Sequence, residues 1–179
     1  MRALFLAGLA LAAACDPMPK ARWMVLETSK GVIVAKLDAE RAPKTVAHLT
    51  MLANRHYFDG MIFHRVVPGF LIQTGDATGT GKGDPKIPVD DELKGAKFDK
   101  PGLLGMASWG PGTSQTQFFI TLGPGPDLDG LHTRFGEVTK GLDVAKRLAE
   151  GPRITTDGLD RPLDPPKLVR LSVVSQPPP

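Results

Sequence analysis

Past residue 22, the hydrophobic residues come mostly in short runs closed by glycine or proline. That punctuation points to a fold of many strands and turns rather than a helical one. Twenty glycines and 17 prolines stand among 179 residues, and they fall between the apolar runs. The clearest case is the stretch from Phe63 to Gln73, which reads as two strands joined at Pro68-Gly69. Alternation puts Leu71 and Gln73 on one face and Phe70 and Ile72 on the other. A second stretch, Gln117 to Thr121, sets Gln117 and Phe119 on one face and Phe118 and Ile120 on the other. The exception to the apolar pattern is Arg65. A fixed cation inside an apolar strand either pairs with a carboxylate or faces a site.

Taken in order, Met24–Thr28 and Gly31–Leu37 read as a hairpin turning at Ser29-Lys30-Gly31. Pro43 suits the first turn of a helix, and Val46, Leu49, Leu52 and Ala53 recur at helical spacing. Residues 75–101 lack periodicity and form a long loop. Strands are expected at 103–108, 117–122 and 133–138, a helix at 141–150 stopped by Gly151, then a proline-rich loop and a last strand at 168–174. Eight short strands and two helices predict a mainly β fold: a closed antiparallel eight-stranded β-barrel capped by two α-helices.

Several chemistries are excluded. Lys and Arg are interleaved with Asp and Glu at a net charge of +3, so no nucleic-acid partner is expected. In Gly79-Thr80-Gly81-Lys82-Gly83 the lysine precedes glycine rather than Ser or Thr, and no helix pattern follows, which argues against a phosphate loop. Ser108 lacks the small residue two positions before it that a nucleophile elbow needs. Asp127-Leu128-Asp129-Gly130 lacks calcium-loop spacing, and His48, His56, His64 and His132 lack metal-ligand spacing. No metal or cofactor is expected.

The lone cysteine, Cys15, follows an apolar run from Ala3 to Ala14. That run is too short to span a bilayer, which takes ~20 residues, and it fits a signal peptide. It resembles a bacterial lipoprotein signal, in which the cysteine is lipidated and becomes the new N-terminus. The alternative is ordinary secretion, with cleavage at Ala12-Ala13-Ala14 and a free Cys15. The expected organisation is a signal peptide at 1–14, a lipid-anchored tether at 15–22, one domain at 23–175 and a disordered tail at 176–179. The lipid implies a periplasm-facing membrane location, and the chain is expected to be a monomer.

The run from Phe63 to Asp76, then Gln117–Ile120, then Leu128-Asp129-Gly130 with His132 and Phe135-Gly136, together with the opening Ala42–Val46, resembles the cyclophilins, which are peptidyl-prolyl cis-trans isomerases. The motifs occur in the family's order across roughly residues 23–175. The resemblance implies that Arg65 is catalytic and that Phe70, Leu71, Phe119 and Leu128 wall a proline pocket with His132 at its rim. It implies that Gln73 and Gln117 hydrogen-bond arginine and substrate, and that the backbone of Ala107 and Ser108 holds an extended proline-containing polypeptide. The extracytoplasmic address makes proteins folding there the expected substrates. A non-enzymatic module that grips proline-containing segments is the competing reading.

Two departures have consequences. Trp109 stands where the family usually has a small residue beside a secondary substrate pocket, which predicts a restriction on residues preceding the proline. Asp127 stands where eukaryotic members often have a tryptophan that contacts cyclosporin. Weak inhibition by cyclosporin is therefore expected, and strong inhibition in a titration of the isomerisation rate would refute it.

Overall fold

Alternation of buried and exposed residues builds the first hairpin. β1 (Arg22–Thr28) buries Met24 and Leu26, and β2 (Gly31–Leu37) buries Ile33, Ala35 and Leu37. Thr28 pairs with Gly31 across the turn, where the Thr28 hydroxyl donates to the Gly31 carbonyl at 2.7 Å. The computed structural model describes residues 22–83, 85–156 and 158–179. The segments expected as a signal peptide and a tether, with Cys15, lie outside these except for Arg22.

Pro43 opens α1 (Pro43–Asn54), as its fixed φ and missing N–H favour. No side chain of its own segment caps this helix. Glu92, far along the chain, accepts from the N–H groups of Lys44 and Thr45 at 3.1 and 2.9 Å. An anion on these orphan donors also matches the helix dipole. The remaining elements are β3 (Arg65–Val67), β4 (Leu71–Thr74), β5 (Leu103–Met106), β6 (Phe118–Thr121), a 3-10 turn (Pro126–Leu128), β7 (Arg134–Lys140), α2 (Leu142–Leu148), β8 (Arg153–Ile154), β9 (Arg161–Pro162) and β10 (Leu168–Val174).

Eight strands form one antiparallel sheet in the order β10-β1-β2-β7-β5-β6-β4-β3. It curls into a half-barrel, which corrects the expected closed barrel. Among the described residues, no ladder joins β3 to β10. Val66 in β3 instead donates its N–H to the Asp160 carbonyl, from the loop between β8 and β9. The segment before β3 meets the start of β10 through an isolated bridge, Ile62 with Lys167, and through Gly60 N–H, which donates to the Leu168 carbonyl at 2.9 Å. A three-residue edge strand covered by a loop needs no strand partner. The proline-rich loop thus contains a small second pair, β8 with β9, that periodicity did not reveal. β5 ends at Met106, two residues earlier than expected, leaving Ala107 and Ser108 outside the ladder. No regular element occurs at 176–179, and Lys140 Nζ donates to the Pro179 carbonyl at 3.0 Å.

The main core lies inside the curl. α1 packs against β10 and α2 against β2, and they contribute Val46, Leu49 and Leu52, and Val144, Ala145 and Leu148. Phe118 meets Phe58 and Phe135 edge-on, at 5.7 and 6.2 Å between ring centres. Among the described residues no helix is long and apolar enough to cross a membrane.

His64 is 1% exposed, and among the described residues neither ring nitrogen has a hydrogen-bond partner. Burial pushes its pKa down to about 4, outweighing the pull of the Asp76 charge. Above pH 6.5 the ring is neutral in both folded and unfolded chains. As pH falls from 6.5 through about 4, the unfolded chain takes a proton that the folded one refuses, so stability is lost. The loss should reach about 3 kcal/mol. Urea denaturation at pH 7.5 and 4.5 should show this decline, reduced in His64→Gln. An equal decline in the variant would refute the assignment.

Candidate functional site

Register brings the site together. Arg65 of β3 pairs with Gln73 of β4, Gln73 with Phe119 of β6, and Phe119 with Gly105 of β5. These four residues form one row across four strands. The neighbouring row, Val66, Ile72, Ile120 and Leu104, belongs to the main core. Successive residues of a strand point to opposite faces, so the first row faces away from that core. On this outer face Leu71, Phe98, Leu103 and Phe119 form a second apolar cluster, against which Phe70, Ala107 and Leu128 pack.

A cavity of about 910 Å³ opens on this cluster. Leu71, Phe119, Leu128 and Ala107 supply its apolar wall, and Ser108 and His132 also line it. Phe70 does not line it; it packs on the cluster beside Leu71. Phe98 lies behind Phe119, with ring centres 5.4 Å apart, and His132 meets Phe119 edge-on at 5.6 Å. The His132 Nδ1–H donates to the Met106 carbonyl at 3.0 Å, with the Ser108 hydroxyl 3.4 Å from the same nitrogen. That bond leaves Nε2 as the acceptor of the neutral ring. Burial holds the His132 pKa below the usual imidazole value, against the pull of the Met106 carbonyl and the Asp91 charge.

The polar wall is Arg65, Gln73 and Gln117. Gln73 Nε2 donates to Gln117 Oε1 at 2.9 Å, and Gln117 Nε2 reaches the Gly81 and Gly83 carbonyls at 3.4 Å each. Arg65 is half-buried, and among the described residues no carboxylate pairs with it. Of the two readings of this arginine, the ion pair does not occur among the described residues, which favours the one that faces a site. A guanidinium lining a cavity beside an apolar floor presents a planar set of donors that stays charged at any working pH.

A family model, cyclophilin type peptidyl-prolyl cis-trans isomerase/CLD, matches residues 23–173. The chain belongs to the cyclophilins. It is 48% identical over 149 residues to a peptidyl-prolyl cis-trans isomerase of Schizosaccharomyces pombe, covering 81% of this chain and 94% of the relative. It is 44% identical over 157 residues to peptidyl-prolyl cis-trans isomerase-like 1 of Aspergillus fumigatus, covering 86% and 96%. A crystal structure of a cyclophilin type peptidyl-prolyl cis-trans isomerase from Cryptosporidium parvum superposes with a TM-score of 0.81 at 31% identity, over 88% of this chain and 99% of that one. The protein is thus a cyclophilin-type isomerase.

The structure adds residues that sequence reasoning missed. Gly105 is one: a Cβ there would overlap the Phe119 ring. Glycine is what allows that ring to lie across β5. The only signal was a glycine inside a strand pattern, which marks close approach. Phe98 is another, a lone aromatic in a loop without periodicity. Its N–H donates to Asp129 Oδ1 at 2.7 Å, tying the loop to the 3-10 turn that carries Leu128.

Asp76 explains the glycine-rich stretch. It accepts from Thr78 N–H and hydroxyl at 2.8 Å each, Gly81 N–H at 2.6 Å and Gly83 N–H at 3.2 Å. Burial pushes this carboxyl up, but those donors together hold its pKa below the ordinary value. The loop's N–H groups thus already hold an anion, the protein's own carboxylate. Arg161 fixes the loop from outside, donating to the Gly79 and Thr80 carbonyls at 3.1 Å each.

Substitution of Gly105 by valine should displace the Phe119 ring and cost about 1–3 kcal/mol of stability. Turnover of an X–Pro peptide should fall at least about tenfold at temperatures where the variant remains folded. Undiminished turnover would show that the Phe119 position does not matter.

Proposed function

We propose that this cyclophilin accelerates X–Pro rotation in proteins folding outside the cytoplasm, with Arg65 as the catalytic donor to the twisted amide nitrogen. The observation that carries the reading is a guanidinium with no carboxylate partner among the described residues, lining the same cavity as the Phe119 ring.

Rotation about a peptide bond faces a barrier of ~18–20 kcal/mol from amide resonance. No bond is made or broken, so the task is to favour the twisted amide. Twisting returns the lone pair to the proline nitrogen, which becomes a hydrogen-bond acceptor only near the transition state. A donor aimed there binds the transition state better than the ground state, and only such differences raise the rate. Leu71, Phe119 and Leu128 grip the ring, with Phe70 supporting Leu71 and His132 at the rim. The Ala107 N–H donates to the Gln117 carbonyl at 2.9 Å, so it is the Ala107 carbonyl and the Ser108 backbone, beyond the end of β5, that would hold an extended chain. Gln73 and Gln117 hold one another and orient the polar wall against substrate.

Two further observations support this reading. The Cryptosporidium parvum isomerase has a crystal structure in the presence of the dipeptide Ala-Pro. The extracytoplasmic role and the lipid anchor rest on the apolar run from Ala3 to Ala14 and on Cys15. In this reading the lipid on Cys15 holds the isomerase at the membrane.

Arg65→Ala should lower kcat/KM for a short X–Pro peptide by about a hundredfold or more. Arg65→Lys should lose most activity despite keeping the charge, because the planar fork is gone. Near-normal turnover in Arg65→Lys would remove the planar-donor role. No acceleration by folded wild type would favour a module that only binds proline segments.

A further inference from the structure

The buried ring of His64, with no partner on either nitrogen among the described residues, is an exception among native structures and costs stability. An apolar side chain of similar size would fill the place without that cost. What lies against the ring supplies a reason for it. A Cβ built on Gly81 would stand 3.2 Å from His64 Cδ2 and 3.6 Å from its Nε2, and Gly81 lines the cavity.

Gly81 is a junction of three groups. Its N–H donates to Asp76 Oδ2 at 2.6 Å, its carbonyl accepts from Gln117 Nε2 at 3.4 Å, and the side on which a Cβ would stand faces the His64 ring. Gly83 repeats two of these links. Its N–H donates to Asp76 at 3.2 Å and its carbonyl accepts from Gln117 at 3.4 Å, while a Cβ there would overlap the Asp76 carboxyl. Gln117 in turn accepts from Gln73, the strand partner of Arg65. A chain of contacts therefore runs from the buried ring through the turn to the polar wall. Its weakest links are the two long bonds from Gln117, which a small shift of the turn would break.

Gln117 and the charges of Asp76, Arg161 and Arg65 are the polar groups that act on the ring. Asp76 follows β4, Arg161 lies in β9 and Arg65 opens β3. A proton on the ring would add a cation beside two guanidiniums, with Asp76 the one anion of this set. That carboxylate is already bonded to Thr78, Gly81 and Gly83, and these donors keep it ionised in mild acid. A charged donor binds a carboxylate more strongly than neutral N–H groups do. A protonated ring would draw Asp76 away from the turn, and the Gly81 and Gly83 carbonyls would leave Gln117.

We infer that His64 is a positioning residue and an acid-sensitive switch of this site: its neutral ring backs the turn at 79–83 through which Gln117 is held, and a proton on it releases Asp76 from that turn and slackens the polar wall. The inference rests on the reading above in which Arg65, Gln73 and Gln117 act on substrate. It goes beyond the loss of stability in acid, because it concerns molecules that remain folded.

The test measures kcat/KM for a blocked X–Pro peptide without ionisable side chains, from pH 6.5 down to about pH 4. Wild type and His64→Gln are compared at a temperature where circular dichroism shows both folded. In wild type kcat/KM should follow one ionisation and fall to about half near pH 4, mainly through kcat. In His64→Gln, whose amide cannot take the proton, the fall should be largely absent. An equal fall in the variant would assign it to other groups such as His132 and overturns the inference. A second readout needs neither variant nor turnover. In magnetic resonance spectra of folded wild type, the Gln117 side-chain amide and the Gly81 and Gly83 backbone amides should shift with the same midpoint as the His64 ring. A ring that titrates without moving them overturns the inference. No turnover by folded wild type at pH 6.5 would instead defeat the isomerase reading, and the resonances would then decide the switch.

Discussion

The register between β3, β4, β6 and β5 is the constraint on which the rest of this molecule depends, because it sorts every side chain of the four strands between two environments. Val66, Ile72, Ile120 and Leu104 enter the main core, and Arg65, Gln73, Phe119 and Gly105 are carried to the outer face. A slip of one residue would bury the guanidinium and expose the core row. The hydrophobic pattern that secures the fold therefore also delivers the arginine to the groove, with no separate device needed to aim it. Gly105 completes the row by leaving space for an aromatic ring that any side chain at that position would obstruct.

The walls of the groove are held differently. They come from segments without regular structure, so their backbone polar groups need partners other than a ladder. Single side chains provide them, Asp76 from a few residues away and the others over long sequence distances. Glu92 caps α1, Asp76 gathers the turn at 78–83, Arg161 clamps that turn from outside, and Asp91 pins the turn beneath Trp109. Each is a carboxylate or guanidinium bonded to backbone groups, the stronger class of hydrogen bond. Loops fixed in this way keep a binding surface in place without being covered by other elements.

Catalysis of amide rotation suits such a site. In the proposed mechanism the reaction needs one donor at one nitrogen, an apolar grip on a ring, and little else. A half-buried arginine fits because it keeps its charge next to apolar surface, where a lysine would titrate more readily. The neutral His132, bonded to the Met106 carbonyl, lines the cavity with a ring beside Phe119 without adding a charge.

Much of this was legible in the chain itself. Alternation at Leu71–Gln73 and Gln117–Phe119 assigned faces correctly, and helical spacing after Pro43 located α1, because both signals depend only on neighbours a few residues apart. Alternation failed at Phe70, which precedes β4 and packs with the Leu71 cluster rather than with Ile72. The sequence alone determined the eight strands of the main sheet to within a few residues, the two helices, and the motifs that resemble the cyclophilins, but not the β8–β9 pair. Other features were not legible. The open gap between β3 and β10, the Asp160 contact that covers it, the Glu92 cap, Phe98 behind Phe119 and the space at Gly105 are all pairings between distant residues. The tertiary structure decided them, because a single sequence records which residues are apolar or charged but not which of many distant partners each will meet once the sheet curls.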